Sequence, residues 1–513
     1  MKTISLFTSL FCITCASAQY DGVRDNSFHT TGFNYHSAAL YDNAVAMALQ
    51  STGKILVISN TPDLIASISR FNGDGTIDTG FGTGGSMTIT VPSASYVSVN
   101  GLYTMPDDRI VIGYTFGNES FMSFYGCMRL LADGSQDNSF GFEGRTITPV
   151  DPGALYGGMM GIALQPDGKV ISYGASSAPG NADFLLFRLD TDGTLDTDFG
   201  TDGFAYAPVT EYGDFAMRVY FTPAGDILVA GYSEIPSGGA LDPVHNDIAV
   251  AKMNMDGELD AGFGTGGMLS VNLSDNGDAL RDIMMASDGS IYAGGYISSA
   301  SGVGTNDLLL CKITATGELD ISFDDDGWAS FDISNANDLL SRILITTDEK
   351  ILLAGTYFAP TGEAGFSITR CFIDGSIDNS FGDGLNGYII DPLDGTYNSM
   401  ADATLQPDGK ILVAGTSNVM PGIDISVARY WNDFPDHIDE NSIADVLVYP
   451  NPAHDEIYLK DMLLNGIFRI YDVQGQLIEQ GVARTNAVID ISELAPGMYS
   501  LEVGNTHTSF VKR

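Results

Sequence analysis

Of 513 residues, 65 are Asp or Glu and only 23 are Lys or Arg. The formal charge of −42 weighs against nucleic acid and anionic membrane as partners, because both need clustered cations. A hydrophobic content of 44% rules out general disorder, and 60 Gly suit a turn-rich all-β chain.

The chain opens with MKTISLFTSLFCITCASA. Lys2 precedes an apolar run from Ile4 to Ile13, and Ala16-Ser17-Ala18 supplies the small residues that signal peptidase needs. Residues 1–18 are thus expected to be a signal peptide, cleaved before Gln19. No later stretch reaches eighteen apolar residues, so an integral membrane protein is not expected. Beyond the leader, Cys127, Cys311 and Cys371 are odd in number and sit in strand-like runs, which reads as buried free thiols.

From here the sequence repeats itself. LQPDGKILVAG at 405–415 nearly duplicates LQPDGKVISYG at 164–174, with worn copies from Leu49, Phe221 and Met285. A second phrase, as in TDGTLDTDFGTDG from Thr191, places an anchor Phe at 81, 140, 199, 263, 323 and 381, at intervals of 59, 59, 64, 60 and 58. Each unit predicts four short strands with Gly and Pro confined to their ends. The seventh unit stops after its third strand near Trp431, while an orphan Asp25-Asn26-Ser27-Phe28 stands just after the leader. One end has what the other lacks. A closed ring explains this, and a linear stack does not. The expected fold is all-β, a seven-bladed β-propeller over 19–431 closed by an N-terminal strand. A polar linker, 432–445, precedes a small C-terminal β-sandwich over 446–513.

Two residue sets recur in every unit. Asp25, Asp78, Asp137, Asp196, Asp260, Asp320 and Asp378 lie three residues before the anchor Phe. Arg70, Arg129, Arg188, Lys252, Lys312, Arg370 and Arg429 hold one position in the third strand. A feature present in every blade builds blades rather than serving one ligand, so these read as structural ion pairs. Calcium is the one cofactor admitted, at Asp-rich turns such as Asp190–Asp196 and Asp324–Asp326; no other metal and no catalytic residue is assigned. The six His beyond the leader lack metal-ligand spacing, and no nucleophile elbow appears.

Strand parity puts the variable loops on one face. The candidate ligand-binding face comprises Tyr41, Asp42, Tyr96, Tyr156, Tyr212, Asp214, Asp278, Asp338 and Tyr397, with Tyr packing between blades as the structural alternative.

The phrase LQPDGKILVAG with its Asp-x-x-Phe-Gly companion resembles the delta-60 repeat of bacterial surface and secreted proteins, over roughly residues 20–431. That family implies a β-propeller and no common activity. Pro450-Asn451-Pro452, Tyr471-Asp472 with Gly475, Leu494-Ala495-Pro496-Gly497-Met498-Tyr499 and the final Lys512-Arg513 resemble the C-terminal sorting domain of type IX secretion. This resemblance implies passage through the periplasm and across the outer membrane, contact with the secretion machinery, and attachment to the surface or release. The expected function is a monomeric binding or adhesion module for an extracellular glycan or protein. The alternatives are a hydrolase or lyase acting on polysaccharide and a structural surface component.

Overall fold

A computed structural model describes residues 21–432 except 39–40, 62–64, 118–122, 149–156, 177–180, 237–243, 299–304, 383 and 420–421. It also describes 447–513 except 450, 461–465, 472–476, 484–487, 493 and 504–505. The expected leader, 1–18, and most of the expected linker, 432–445, therefore lie outside the described residues. The chain separates into two compact units, 1–433 and 434–513.

The repeat phrases show why the first unit folds as it does. In the first blade the strands Asn43–Leu49, Ile55–Asn60, Ala66–Phe71 and Ser86–Ile89 pair antiparallel in chain order. Between the first two, the turn needs a left-handed residue, and Gly53 supplies it at φ +77°. Asp108 and Glu349 hold the same place in later blades at +64° and +63°. Chain-order pairing repeats over 96–130, 157–207, 213–271, 278–331 and 338–391. The blade over 96–130 has three full strands, and bridges from Tyr125 to Thr148 and Met128 to Arg145 add a fourth segment at its edge.

The last sheet joins the chain ends. Asn398–Leu405, Ile411–Ser417 and Asp424–Tyr430 are completed by Phe33–His36, in antiparallel register from Phe33 opposite Ala428 to His36 opposite Ile425. Backbone bonds from Asp25 N to Arg429 O at 2.8 Å and from Trp431 N to Val23 O at 3.0 Å extend the seam. Each innermost strand neighbours the next, and Asn398–Leu405 lies beside Asn43–Leu49. The architecture is a β-propeller, and the described residues of its ring form seven sheets.

The core lies between sheets. Phe28, Met47, Ile55, Val57 and Phe71 pack on Leu412, Ala414, Ile425 and Val427, so one cluster spans the junction of the first and last blades. The anchor Phe is the recurring lock. Phe81 sits against Gly134 of the next blade, as Phe140 does against Gly193 and Phe199 against Gly257. Phe263 meets Gly317, Phe323 meets Gly375, Phe381 meets Gly22 and Phe28 meets Gly75, which brings the series back to its start. Each ring is fully or almost fully buried, a contribution of about 3 kcal/mol apiece from apolar burial.

The described residues of the second unit form two sheets. One holds Leu447–Tyr449, Glu456–Lys460 and Val488–Asp490; the other holds Leu477–Ala483, Gly466–Tyr471, Gly497–Val503 and Thr506–Lys512. Ile457, Ile470, Ile489, Leu501 and Phe510 fill the space between them.

Candidate functional site

The repeated Asp and basic residues meet in every blade. Arg70 Nε lies 2.8 Å from Asp78, Arg129 Nε 2.6 Å from Asp137, Arg188 Nε 2.6 Å from Asp196 and Arg370 Nε 2.8 Å from Asp378. Lys252 and Lys312 reach Asp260 and Asp320 at 2.8 and 3.2 Å, and Arg429 reaches Asp25 across the seam at 2.8 Å. Each guanidinium also lies over its anchor Phe, as Arg129 does over Phe140 at 4.6 Å. It then crosses to the following blade: Arg70 Nη1 donates to Ala132 O at 2.8 Å and Arg429 Nη1 to Gly73 O at 3.0 Å. Burial pushes the Asp137 carboxyl up, but donors from Ser139 and Arg129 outweigh it and hold the group well below the usual range. These side chains are consumed in joining blades. The Asp-rich turns are committed likewise: Asp192 accepts from Thr194 N at 2.9 Å, and Asp196 is shared by Arg188 and Lys169.

The acids expected on a ligand-binding face lie elsewhere. Asp42, Asp214, Asp278 and Asp338 are all fully buried. Asp278 accepts from Ile248 N at 2.9 Å, Leu273 N at 3.0 Å and Ser274 N at 2.9 Å, so it caps the loop entering its blade and ties it to the preceding one. Asp214 accepts from Thr210 and Ser233, and Asp42 from Ala38 N at 2.9 Å. An acid at this point satisfies amides that the strand change leaves open, which is why it faces inward. The tyrosines divide. Tyr41 and Tyr397 are exposed, Tyr96 and Tyr212 are half-buried, Tyr96 covers Gly117, and Tyr156 lies outside the described residues. In the second unit Asn451, Pro452, Pro496 and Gly497 are exposed, Tyr499 and Lys512 are buried, and Pro450 and Gly475 lie outside the described residues.

A different constellation occupies the middle of the ring. All seven innermost strands carry a bulge at the same point, which leaves Val45, Asn100, Met160, Met217, Arg281, Ser341 and Ala401 unpaired in the ladder. All seven line one cavity of about 540 Å³, walled by every blade. The residue after each bulge runs Ala46, Gly101, Gly161, then Arg218, Asp282, Arg342, Asp402. Three blades contribute nothing larger than a methyl group, and four contribute alternating charges. Arg218 Nε lies 3.1 Å from Asp282, and Arg342 Nε lies 3.6 Å from Asp282 and 3.2 Å from Asp402. Tyr173 places its hydroxyl in the space that a side chain on Gly161 would take.

The two carboxylates here are not free. Asp282 accepts from Ile343 N at 2.8 Å and Ile283 N at 3.0 Å. Asp402 accepts from Met47 N at 2.9 Å and Ala403 N at 2.9 Å. Each thus braces the next blade. Burial raises both carboxyl pKa values against the opposing pull of Arg218. Burial also raises the Tyr103 and Tyr173 hydroxyls, beside Arg218, so they stay protonated and can donate. What remains for a ligand is cationic. Arg342 Nε is engaged only through its ion pairs with Asp402 and Asp282, Arg342 Nη1 has no hydrogen-bond partner among the described residues, and Arg281 adds a third positive charge to the lining. The sequence signal for this girdle is a charged residue seven positions before the turn residue at 225, 289, 349 and 409, inside runs that are otherwise mostly apolar.

Residues 447–513 match the secretion system C-terminal sorting domain. Residues 165–199, 286–323 and 406–433 match a β-propeller domain of unknown function, DUF5122. No curated protein matches the chain. Among solved structures, a PL25 ulvan lyase is 12% identical at a TM-score of 0.46, over 78% of this chain and 96% of that one. The β-propeller domain of the Trilobed protease from Pyrococcus furiosus is 8% identical at 0.40, over 77% and 99%. A GH74 xyloglucanase from Xanthomonas campestris is 13% identical at 0.39, over 84% and 60%. The chain is a β-propeller carrying DUF5122-type repeats, joined to a sorting domain that directs export by type IX secretion to the cell surface or the extracellular space.

Proposed function

We propose that the exported propeller is a binding module whose central cavity takes the acidic group of an extracellular glycan. The observation that carries this reading is the arginine content of that cavity. In a chain with a charge of −42, Arg218, Arg281 and Arg342 converge on one lining, and Arg342 Nη1 has no acceptor among the described residues. A buried donor without an acceptor costs about 1–3 kcal/mol, and a carboxylate would relieve it. Tyr103 and Tyr173 add neutral hydroxyls suited to sugar hydroxyls. The acidic exterior repels polyanions at short range, so the ligand bears one acid on an otherwise neutral chain.

The hydrolase alternative needs a carboxyl free to move a proton, and the lyase alternative needs a carboxylate, Tyr, His or Lys able to take one; Tyr103 and Tyr173 stay protonated here. Asp282 and Asp402 hold backbone amides and arginines instead, which favours binding over catalysis.

The test is calorimetric titration of the secreted protein with oligosaccharides ending in glucuronate and with neutral counterparts ending in glucose. Selective binding of the acidic series is expected, weakened at least tenfold by Arg342→Gln. Equal binding of both series, or an unchanged affinity in Arg342→Gln, overturns the reading. Release of shortened or unsaturated sugars would move the assignment to the enzyme alternative.

A further inference from the structure

Away from the central cavity, the junction of the fifth and sixth blades gathers three carboxylates. Asp307 is the second residue of the strand Asn306–Ile313, Asp332 follows Trp328–Phe331, and Asp338 opens the inner strand Asp338–Ile345. One oxygen of each lies within 4.8 Å of the other two. Oxygens within that reach of one another can share a calcium ion, which holds each oxygen ligand at about 2.4 Å. The three differ in burial: Asp338 is fully buried, Asp307 half-buried and Asp332 exposed, so an ion could enter from solvent and reach an inner ligand.

A second observation points to something bound. Asp338 Oδ2 accepts from Ile333 N at 2.9 Å and Ser334 N at 3.3 Å, whereas its Oδ1 is buried with no hydrogen-bond partner among the described residues. The protein supplies its own comparison one blade earlier. At the matching positions stand Asp247, Asn272 and Asp278, so the third carboxylate is replaced by a neutral amide. His245 Nε2 there lies 3.3 Å from Asp247, and its counterpart in the fifth blade is Thr305. One junction has fewer acids and a basic neighbour; the other has an extra acid and a hydroxyl in that neighbour's place.

We infer that Asp307, Asp332 and Asp338 bind a divalent cation of calcium's size and hardness, which fastens the fifth blade to the sixth. Three carboxylates and water complete a coordination shell that a smaller ion with strict octahedral demands fits less well. The site is separate from the Asp-rich turns, whose acids are held by neighbouring hydroxyls, amides and lysines.

The experiment titrates calcium chloride alone into the secreted full-length protein, stripped with chelator, at pH 7.5 and physiological salt. One saturable site is expected, in the range of about 10⁻⁴–10⁻³ M typical of extracellular modules, together with a rise in thermal midpoint. Asp332→Asn, at an exposed position, should weaken binding at least tenfold with an unchanged circular dichroism spectrum, and Asp307→Asn should do the same. Asp325→Asn, in the exposed acidic triplet at the other end of the strand Trp328–Phe331, should leave affinity unchanged. Absence of a saturable site up to about ten times that range, or wild-type affinity in both Asn variants, overturns the inference. Loss of binding in Asp325→Asn alone would also overturn it.

Discussion

Replacing Asp25 by Asn removes one charge from the pair that joins the start of the propeller to its last complete strand. Asp25 and Arg429 are both buried, and the carboxylate receives Arg429 Nε and Nη2 at 2.8 Å, with Lys410 Nζ at 3.5 Å. Its second oxygen accepts from Ser27 N at 3.0 Å and Ser27 Oγ at 2.6 Å. The amide keeps the shape but leaves a guanidinium and an ammonium facing each other out of water. Breaking a buried pair on one side costs about 3–5 kcal/mol. The equivalent Lys312–Asp320 pair is 17% and 26% exposed, and Asp320→Asn should therefore cost no more than about 1 kcal/mol. Urea unfolding followed by tryptophan fluorescence measures both, since Trp431 adjoins the seam. Arg429→Met combined with Asp25→Asn should be less damaging than the sum of the single changes, by about 2 kcal/mol. The pH dependence has a definite sign. Burial raises the Asp25 carboxyl, but Ser27 and Arg429 outweigh it and depress the folded value, so the stabilisation holds at neutral pH and fades as pH falls through that value. If Asp25→Asn costs under about 1 kcal/mol, or Asp320→Asn costs as much, burial does not set the strength of this repeat and the argument is refuted.

The blade locks predict that Gly134→Ala is destabilising by about 2–4 kcal/mol, because φ is +90° and the added methyl would sit 2.6 Å from Phe81 and Met87; a thermal melt within a degree of the parent would contradict this. Burial and Asp214 raise the Asp183 carboxyl to about 6, so stability should fall as pH rises from about 4 toward 6 and remain lower above it. Asp183→Asn should flatten that fall and add on the order of 1 kcal/mol at pH 7, after allowing for solvent screening at this half-buried site. Removal of residues 434–513 should leave the protein in the periplasm with the propeller's circular dichroism intact, read by fractionation; delivery of the truncated chain to the surface would refute the role of the tail.

Residue spacing alone carried the ring. A period near sixty, an incomplete seventh unit and an orphan Asp25–Phe28 copy already imply closure, because strand edges must be paired and a circle leaves none open. The Arg–Asp positions were legible for the same reason, since a role repeated in every blade writes itself into every repeat. The inward turn of Asp42, Asp214, Asp278 and Asp338 was not. Parity assigned them to a loop face, but whether an acid meets solvent or caps amides depends on the neighbouring blade. The central girdle was hidden more deeply. Arg218, Asp282, Arg342 and Asp402 are about sixty residues apart in the chain, and nothing in any one strand links its charge to the others. Only the shared bulge, which turns that one position toward the ring's centre in every blade, converts four distant residues into a single electrostatic unit. Local sequence determines strands and turns because those interactions are short in range; the meeting of charges across seven blades is settled by closure of the circle.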